Sequence, residues 1–411
     1  MRRAAAGSPY PRAEVLLRED VRVSGPVQFH VYSIGMPNIF RGITRRTGML
    51  LAGPAGWGEF APFAEYDTAE SAPWLAAAYE AATVGWPSAV RDRIPVNVTV
   101  PACSPQRAAE IVAASGGAST AKVKVAELGQ SLEADLERVA AVRAVLGPGG
   151  RIRVDANGAW PDPEAAARAI RSLDREVGLE YVEQPCRTVD ELARVRRLVD
   201  VPIAADESIR LATDPMQVVR AGAADIAVIK VAPLGGVRAA LALVERIGLP
   251  VVVSSALETS VGIAAGVALA AALPELPYAC GLGTVALLEA DVVADSLLPV
   301  GGWLTVRQVA PDPDRLAAVA ADGATTGEWE RRLAQVEAVL RAVSGGSGTG
   351  SALRRPGSRG GSALRGSGSG PGSALRERGS GGGSALRGSE SDSRRPGPAG
   401  PPGAAGPERA G

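Results

Sequence analysis

Three lysines are the residues of this chain best suited to chemistry. It has 44 basic residues, and all but Lys122, Lys124 and Lys230 are arginine. Arginine stays protonated, whereas a buried lysine amine can give up its proton. A lysine kept against such a background is a candidate for work that arginine cannot do, namely acting as a base. The single histidine, His30, lies far from the lysines in sequence, so a histidine-based mechanism is not expected. Three acids, Asp155, Glu183 and Asp206, follow at intervals of 28 and 23 residues. Acids gathered at one point repel unless a cation sits among them, and hard oxygen ligands suit Mg²⁺, or Mn²⁺. The chemistry expected of this set is removal of a proton next to a carboxylate. The metal would take the carboxylate of a small-molecule substrate and stabilise the enediolate, while an amine takes the α-proton.

These side chains need strands to bring them together. From about Ile94 to Leu298, short β-branched runs alternate with helical patterns. The runs are Val96–Val100, Ala121–Val125, Ile152–Asp155, Tyr181–Glu183, Ile203–Asp206, Ile226–Val231, Val251–Ser254 and, weakest, Tyr278–Gly281. Helical patterns lie between them at Leu132–Leu146, Pro163–Leu173, Val189–Val199, Pro215–Ala221 and Val237–Ile247. Eight such repeats predict an α/β fold, a modified TIM-type (β/α) barrel, with its active site at the C-terminal ends of the strands. The polar residues ending the runs are then the ones that matter. Strand alternation puts Lys122 and Lys124 on one face. Asp155, Glu183 and Asp206 end three successive runs, and Lys230 ends the next. Arg153 shares the face of Asp155 and is expected to add positive charge there. Neighbouring cations, Lys122 and the metal, are expected to bring the amine of Lys124 down from its ordinary pKa of about 10.4. Asn157 and Glu207 follow their strand ends as supports.

The first 92 residues, with strand-like Val27–Ile34 and Met49–Ala52 and a helix over Ser71–Thr83, predict an α+β capping domain. Residues 299–343, with a strand at Trp303–Val309 and a helix at Trp329–Val343, are expected to complete it, leaving 93–298 as the barrel. From Ser344 the chain turns to Gly, Ser, Pro and Arg, with SALR recurring every eleven residues. One leucine per unit cannot build a core, so 344–411 is predicted to be a disordered tail that catalysis does not need. A net charge of zero gives no sign of a nucleic-acid partner. No apolar run predicts a membrane span, and the N-terminus lacks the apolar core of a secretory signal. The widely spaced Cys103, Cys186 and Cys280 suggest reduced cytoplasmic thiols. A monomer or a small homo-oligomer fits equally.

With K-x-K, D-x-N, E-Q-P, D-E-S and a sixth-strand lysine in order, residues 20–343 resemble the enolase superfamily, in its muconate-lactonising subgroup. The wording VEQPC, PIAADESIR, IKVAPLGGVRAAL, VVVSSALETSVG and LPYACGLGT is similar to actinobacterial o-succinylbenzoate synthases, as are FRGI and GWGEF. The resemblance implies that Asp155, Glu183 and Asp206 bind Mg²⁺. Lys124 is then the base and Lys230 the charged lysine on the other face, with Lys122 tuning Lys124. It implies dehydration of 2-succinyl-6-hydroxy-2,4-cyclohexadiene-1-carboxylate on the way to menaquinone. It also implies that Ser254, Ser255, Glu258, Gly281 and Leu282 lie in the pocket, with Phe40–Ile43 or Pro54–Trp57 of the cap near the substrate. The same lysines would serve an N-acylamino-acid racemase or a dipeptide epimerase. Gly281-Leu282-Gly283-Thr284, without an acid, speaks against the epimerase. A non-catalytic scaffold barrel is the alternative from another class.

Overall fold

The structure, a computed structural model, describes residues 27–40 and 42–346. The expectations for residues 347–411 lie outside the described residues, as does the segment before Val27. Strands β1 (Gln28–Phe40), β2 (Ile43–Gly53) and β3 (Gly56–Phe60) form an antiparallel sheet in that order. One face of the sheet carries the buried Met49, Leu51 and Phe60 against helix α1 (Thr68–Tyr79), and the other buries Tyr32, Ile34 and Leu50. The helix starts at a capping box in which Asp67 and Glu70 satisfy each other's backbone N–H groups. Gly58 makes the packing possible, because a Cβ there would lie 2.0 Å from the carbonyl oxygen of Ala78. The helix runs on into a wider π turn over Glu80–Val84.

After β4 (Arg93–Pro95) come seven parallel strands, neighbours in space in chain order. They are β5 (Val98–Val100), β6 (Thr120–Lys124), β7 (Arg151–Asp155), β8 (Leu179–Glu183), β9 (Ile203–Ala205), β10 (Ile226–Lys230) and β11 (Val251–Ser254). The expected eighth strand shrinks to two bridging residues, Ser254↔Gly281 on one side and Val96↔Cys280 on the other. Gly281 N–H donates to Val253 (2.8 Å) and Asn97 N–H to Cys280 (2.9 Å), so these two residues join the sheet's edges. Pro277 just before them has no N–H to offer a ladder, which keeps the run short. Strand β12 (Trp303–Thr305) pairs antiparallel with β4, three residues long rather than the seven predicted.

The barrel's outer helices are α2 (Pro105–Ala113), α3 (Leu132–Leu146), α4 (Pro163–Val177), α5 (Val189–Leu198), the single turns α6 (Glu207–Arg210) and α7 (Gln217–Arg220), α8 (Val237–Ile247) and α9 (Ser260–Ala272). Ser104, Ser131, Asp162 and Thr188 each start a helix by accepting an orphan N–H of its first turn. Helix α10 (Pro313–Ala318) is followed by α11 (Gly323–Gly346), which packs back on the cap. The guanidinium of Arg332 donates to the carbonyls of Pro62 (3.1 Å), Phe63 (2.8 Å) and Tyr66 (3.1 Å), clamping the loop after β3.

Charged cap residues fix the cap to the barrel. Arg46 on β2 donates to the carbonyls of Leu257 (2.9 Å) and Ala256 (3.3 Å), in the loop after β11. Glu59 on β3 accepts from the N–H groups of Thr259 and Gly262 at the start of α9, at 3.1 and 2.9 Å. Glu80 in the π turn accepts from Val237 (2.5 Å) and Arg238 (3.2 Å) at the start of α8. A Cβ on Gly236 would stand 2.2 Å from the Glu80 carboxylate, so only glycine leaves that seat open. Carboxylates at helix N-termini meet unpaired N–H groups and the positive end of the helix dipole.

Candidate active site

Strand register aligns the key residues before any side chain is considered. Lys124 pairs with Asp155 and Asp155 with Glu183, while Lys230 pairs with Ser254, which bridges Gly281. The side chains then converge at the C-terminal mouth of the barrel. Lys122 Nζ donates to Asp155 Oδ2 (2.9 Å) and to both oxygens of Glu183 (2.9 and 3.0 Å). Lys124 Nζ donates to Asp155 Oδ2 and to Asn157 Oδ1, both at 2.6 Å. Lys230 Nζ donates to Asp206 Oδ2 at 2.6 Å. The side chains of Asp155, Glu183 and Asp206 are each only 1% exposed.

Burial sets the charge balance. It lowers the pKa of the Lys124 amine below the ordinary lysine value; Asp155 opposes the shift and Lys122 adds to it. The main cause is therefore loss of water rather than the neighbouring cations expected from the K-x-K spacing. Burial also works against the Lys122 ammonium, but Asp155 and Glu183 outweigh it and hold it well above the usual value. Asp155 is held well below the carboxylate range, its burial overcome by Lys122 and Lys124. Asp206 is likewise held down by Lys230 and Arg210. Glu183 goes the other way, pushed up to about 7 by burial and by the nearby Asp155.

The backbone at this mouth is bent to suit. Among the described residues, all four non-glycine positions with positive φ follow barrel strands: Ala126, Asn157, Gln184 and Leu257. Such conformations cost energy and cluster at functional sites. Gln184 then turns its side chain inward, where Oε1 accepts from the N–H groups of Asp206 (3.0 Å) and Ser208 (3.3 Å). This fixes the chain that carries Asp206.

Family models match both parts of the chain, "Enolase N-terminal domain-like" over residues 31–82 and "Enolase C-terminal domain-like" over 105–313. The o-succinylbenzoate synthase of Thermobifida fusca (strain YX) is 64% identical over 312 residues, 76% of this chain and 96% of the relative. That of Mycobacterium leprae (strain TN) is 53% identical over 332 residues, 81% of this chain and 97% of the relative. The chain belongs to the o-succinylbenzoate synthase family. Among solved structures, the muconate lactonizing enzyme of Pseudomonas fluorescens in complex with muconolactone shares the fold. It has a TM-score of 0.61 at 23% identity, over 72% of this chain and 98% of that one. The L-Ala-D/L-Glu epimerase of Bacillus subtilis gives 0.59 at 24%, over 70% and 96%.

Set against the expectations for this o-succinylbenzoate synthase family member, the structure brings together Lys122, Lys124, Lys230, Asp155, Glu183, Asp206, Asn157 and Glu207. Arg153 is a correction. It lies one layer deeper, its guanidinium bound to Glu180 Oε2 (2.7 Å), Tyr181 OH (3.0 Å) and the Ala279 carbonyl (2.7 Å). Strand parity predicted its face but not its depth. Ser254, Ser255, Glu258 and Leu282 line a small cavity at the joint of cap and barrel, with Glu59, Ala77 and Ala81 on the cap side. Ser254 stands beside Lys230 in register. Ser255 instead donates to the Gly281 carbonyl (2.7 Å), Glu258 accepts from Ala256 N–H, and Leu282 packs over Gly266. The side chain of Phe40 lies outside the described residues. Pro54–Trp57 forms the β2–β3 turn, with Ala55 N–H on the Ala82 carbonyl and Trp57 against His30. Sequence reasoning missed Gln184, Arg210 and Tyr66. The first two sit inside the E-Q-P and DESIR motifs, a signal that was present; Tyr66 carried none.

Proposed function

We propose that this chain is an o-succinylbenzoate synthase, a metal-dependent lyase. It would remove water from 2-succinyl-6-hydroxy-2,4-cyclohexadiene-1-carboxylate to give 2-succinylbenzoate, on the route to menaquinone. The observation that supports this best is the shared space of amine and acids. Lys124 Nζ lies 2.6 Å from Asp155, and burial has made its proton easier to lose.

Asp155, Glu183 and Asp206 would hold Mg²⁺, or Mn²⁺. Among the described residues, no three acid, histidine or cysteine groups already stand closed around a metal position, and lysine amines lie between the acids. The donor set nevertheless fits. The Lys122 ammonium stands within 3.0 Å of both Asp155 and Glu183, so the two acids already share one cation. The upward push on Glu183 comes first from burial and next from repulsion by Asp155, and more positive charge counters both. When bound, the divalent cation supplies positive charge that stabilises the negative charge developing on the substrate carboxylate as the α-proton leaves.

The chain's own residues do the rest. Lys124 takes the α-proton and returns it to the departing hydroxyl, so that water leaves and the ring becomes aromatic. Asn157 Oδ1 accepts from the Lys124 amine and helps to hold it in place. Lys230, on the strand after the one that leads to Asp206, faces the substrate from the opposite side. Lys122 adds to the lowering of Lys124. The reaction would run in the cytoplasm, where the free thiols of Cys103, Cys186 and Cys280 would stay reduced. One observation favours a second activity. Each of Lys124 and Lys230 is tied to a different acid, an arrangement that serves two bases on opposite faces as in an N-acylamino-acid racemase.

The test is to offer the purified protein the cyclohexadiene substrate with Mg²⁺, and separately an N-succinyl amino acid in deuterated water. Rapid appearance of the aromatic product, lost with EDTA and restored by Mg²⁺, is expected. Exchange of the amino acid's α-proton without any dehydration would replace the first reading with the second.

A further inference from the structure

Arg210, the last residue of α6, is 98% buried at its side chain, and its guanidinium is shared among three acceptors. Nε donates to Asp206 Oδ1 at 3.1 Å, Nη2 to Glu207 Oε1 at 2.6 Å, and Nη1 to the hydroxyl of Tyr66 at 2.5 Å. The first acceptor is one of the three clustered acids. Its other oxygen, Oδ2, is the one that faces Lys230. Glu207 Oε1 also accepts from Asn157 Nδ2 at 3.3 Å, and Asn157 Oδ1 holds the Lys124 amine at 2.6 Å. Tyr66 belongs to the cap, on the loop whose carbonyls Arg332 of α11 clamps. An unbroken string of polar contacts thus runs from α11 through Tyr66 and Arg210. It then divides, one arm reaching Asp206 and the other reaching Lys124.

We propose that Arg210, held in place by Tyr66, is a positioning residue that fixes the Asp206 carboxylate for metal binding and ties the active site to a docked cap. This deepens the reading above and rests on Asp206 being a metal ligand. The geometry requires arginine rather than a generic cation. A planar fork can donate to Asp206, Glu207 and Tyr66 at once, whereas a lysine ammonium is a point charge on a flexible stem. With Nε on Oδ1, the Asp206 carboxylate cannot rotate freely, and Oδ2 stays turned toward the cluster. Partners that orient a ligand in this way change metal affinity about 10–100-fold when removed.

Calorimetric titration of the full chain with Mg²⁺, repeated with Mn²⁺ as a paramagnetic probe, tests this directly. Arg210→Met should weaken binding roughly 10–100-fold. Arg210→Lys should keep the charge yet recover only part of that loss, and Tyr66→Phe, which removes one hydroxyl from the cap side, should weaken binding about 3–10-fold. Far-ultraviolet circular dichroism and the unfolding midpoint accompany each titration. If Arg210→Met does not fold, the other two variants decide. Wild-type affinity in Arg210→Lys would overturn the fork, and wild-type affinity in Tyr66→Phe would overturn the link to the cap. A wild-type protein that takes up no Mg²⁺ would bring down the metal-site reading itself, an outcome distinct from unaffected variants of a protein that does bind.

Discussion

Two clusters of charge lie inside this barrel, one above the other, and they use different cations. The upper layer sets Lys122, Lys124 and Lys230 against Asp155, Glu183 and Asp206. The lower layer sets Arg153 against Glu180, with the guanidinium 4.7 Å from the ring centre of Tyr181 and 6.0 Å from that of Tyr278. Both layers are buried. In the upper one burial lowers the Lys124 amine toward the neutral form. In the lower one burial also works against the charge, yet Tyr181 and Glu180 more than offset it and Arg153 stays charged. Arginine's high intrinsic pKa and its planar fork make the lower layer a fixed support, and lysine makes the upper one able to exchange protons. A register shift between Ile152 and Arg153, which pairs Arg153 with Tyr181, lets both Glu180 and Tyr181 reach the guanidinium.

The largest expected effect strikes the upper layer. Lys124→Arg keeps a cation near Asp155 but cannot release a proton at neutral pH, so turnover should fall by roughly 10³-fold or more. The circular dichroism spectrum should stay that of wild type. A variant that turned over at the wild-type rate would erase the distinction between the layers. The mirror experiment is Arg153→Met. It takes the inner of two arginines from the largely buried Glu180, Arg151 staying at 3.0 Å, so the loss of stability should be measurable but below the about 3–5 kcal/mol of a buried pair broken outright. Urea unfolding should read that loss, while the protein that remains folded should keep near-normal kcat. A large fall in kcat with little loss of stability would mean that Arg153 acts on the chemistry after all.

The upper layer should also respond to metal where the lower does not. Mg²⁺ at about a hundred times its dissociation constant should add about 2.7 kcal/mol to stability. Asp206→Asn should abolish that gain, and Arg153→Lys should preserve it even from a lower starting stability. Thermal denaturation with Mg²⁺ and with EDTA measures both. Equal gains in the two variants would show the ion binding somewhere else.

The upper layer was legible in the sequence because a barrel puts its chemistry where strands end, and residue order alone reveals which side chains end them. Asp155, Glu183 and Lys230 therefore fell into place from local runs. Depth was not legible: alternation put Arg153 on the face of Asp155 and was silent about how far below it the side chain would be tied. Helix α9, SVGIAAGVALAAA, escaped because it is apolar on every side and shows no amphipathic stripe. The eighth strand was faint because only Cys280 and Gly281 bridge. Tyr66 meets Arg210 across 144 positions of chain, a contact that no local pattern encodes.

The smallest effect tests the lower layer most finely. Tyr181→Phe removes one hydroxyl and keeps the ring on which Arg153 stacks. That hydroxyl accepts from Arg153 Nη1 at 3.0 Å, but the same nitrogen also donates to the Ala279 carbonyl at 2.7 Å. The guanidinium is therefore not orphaned, and the loss should stay near the low end for a buried hydrogen bond to a charged group, about 1.5 kcal/mol. Burial pushes the Tyr181 phenol well above its ordinary value, so it stays neutral from pH 6 to 9 in wild type. The difference in unfolding free energy between the two proteins should then be the same at every pH in that range. A loss that grew with pH would mean that the phenol ionises against Arg153, and the lower layer would be a titrating site like the one above it.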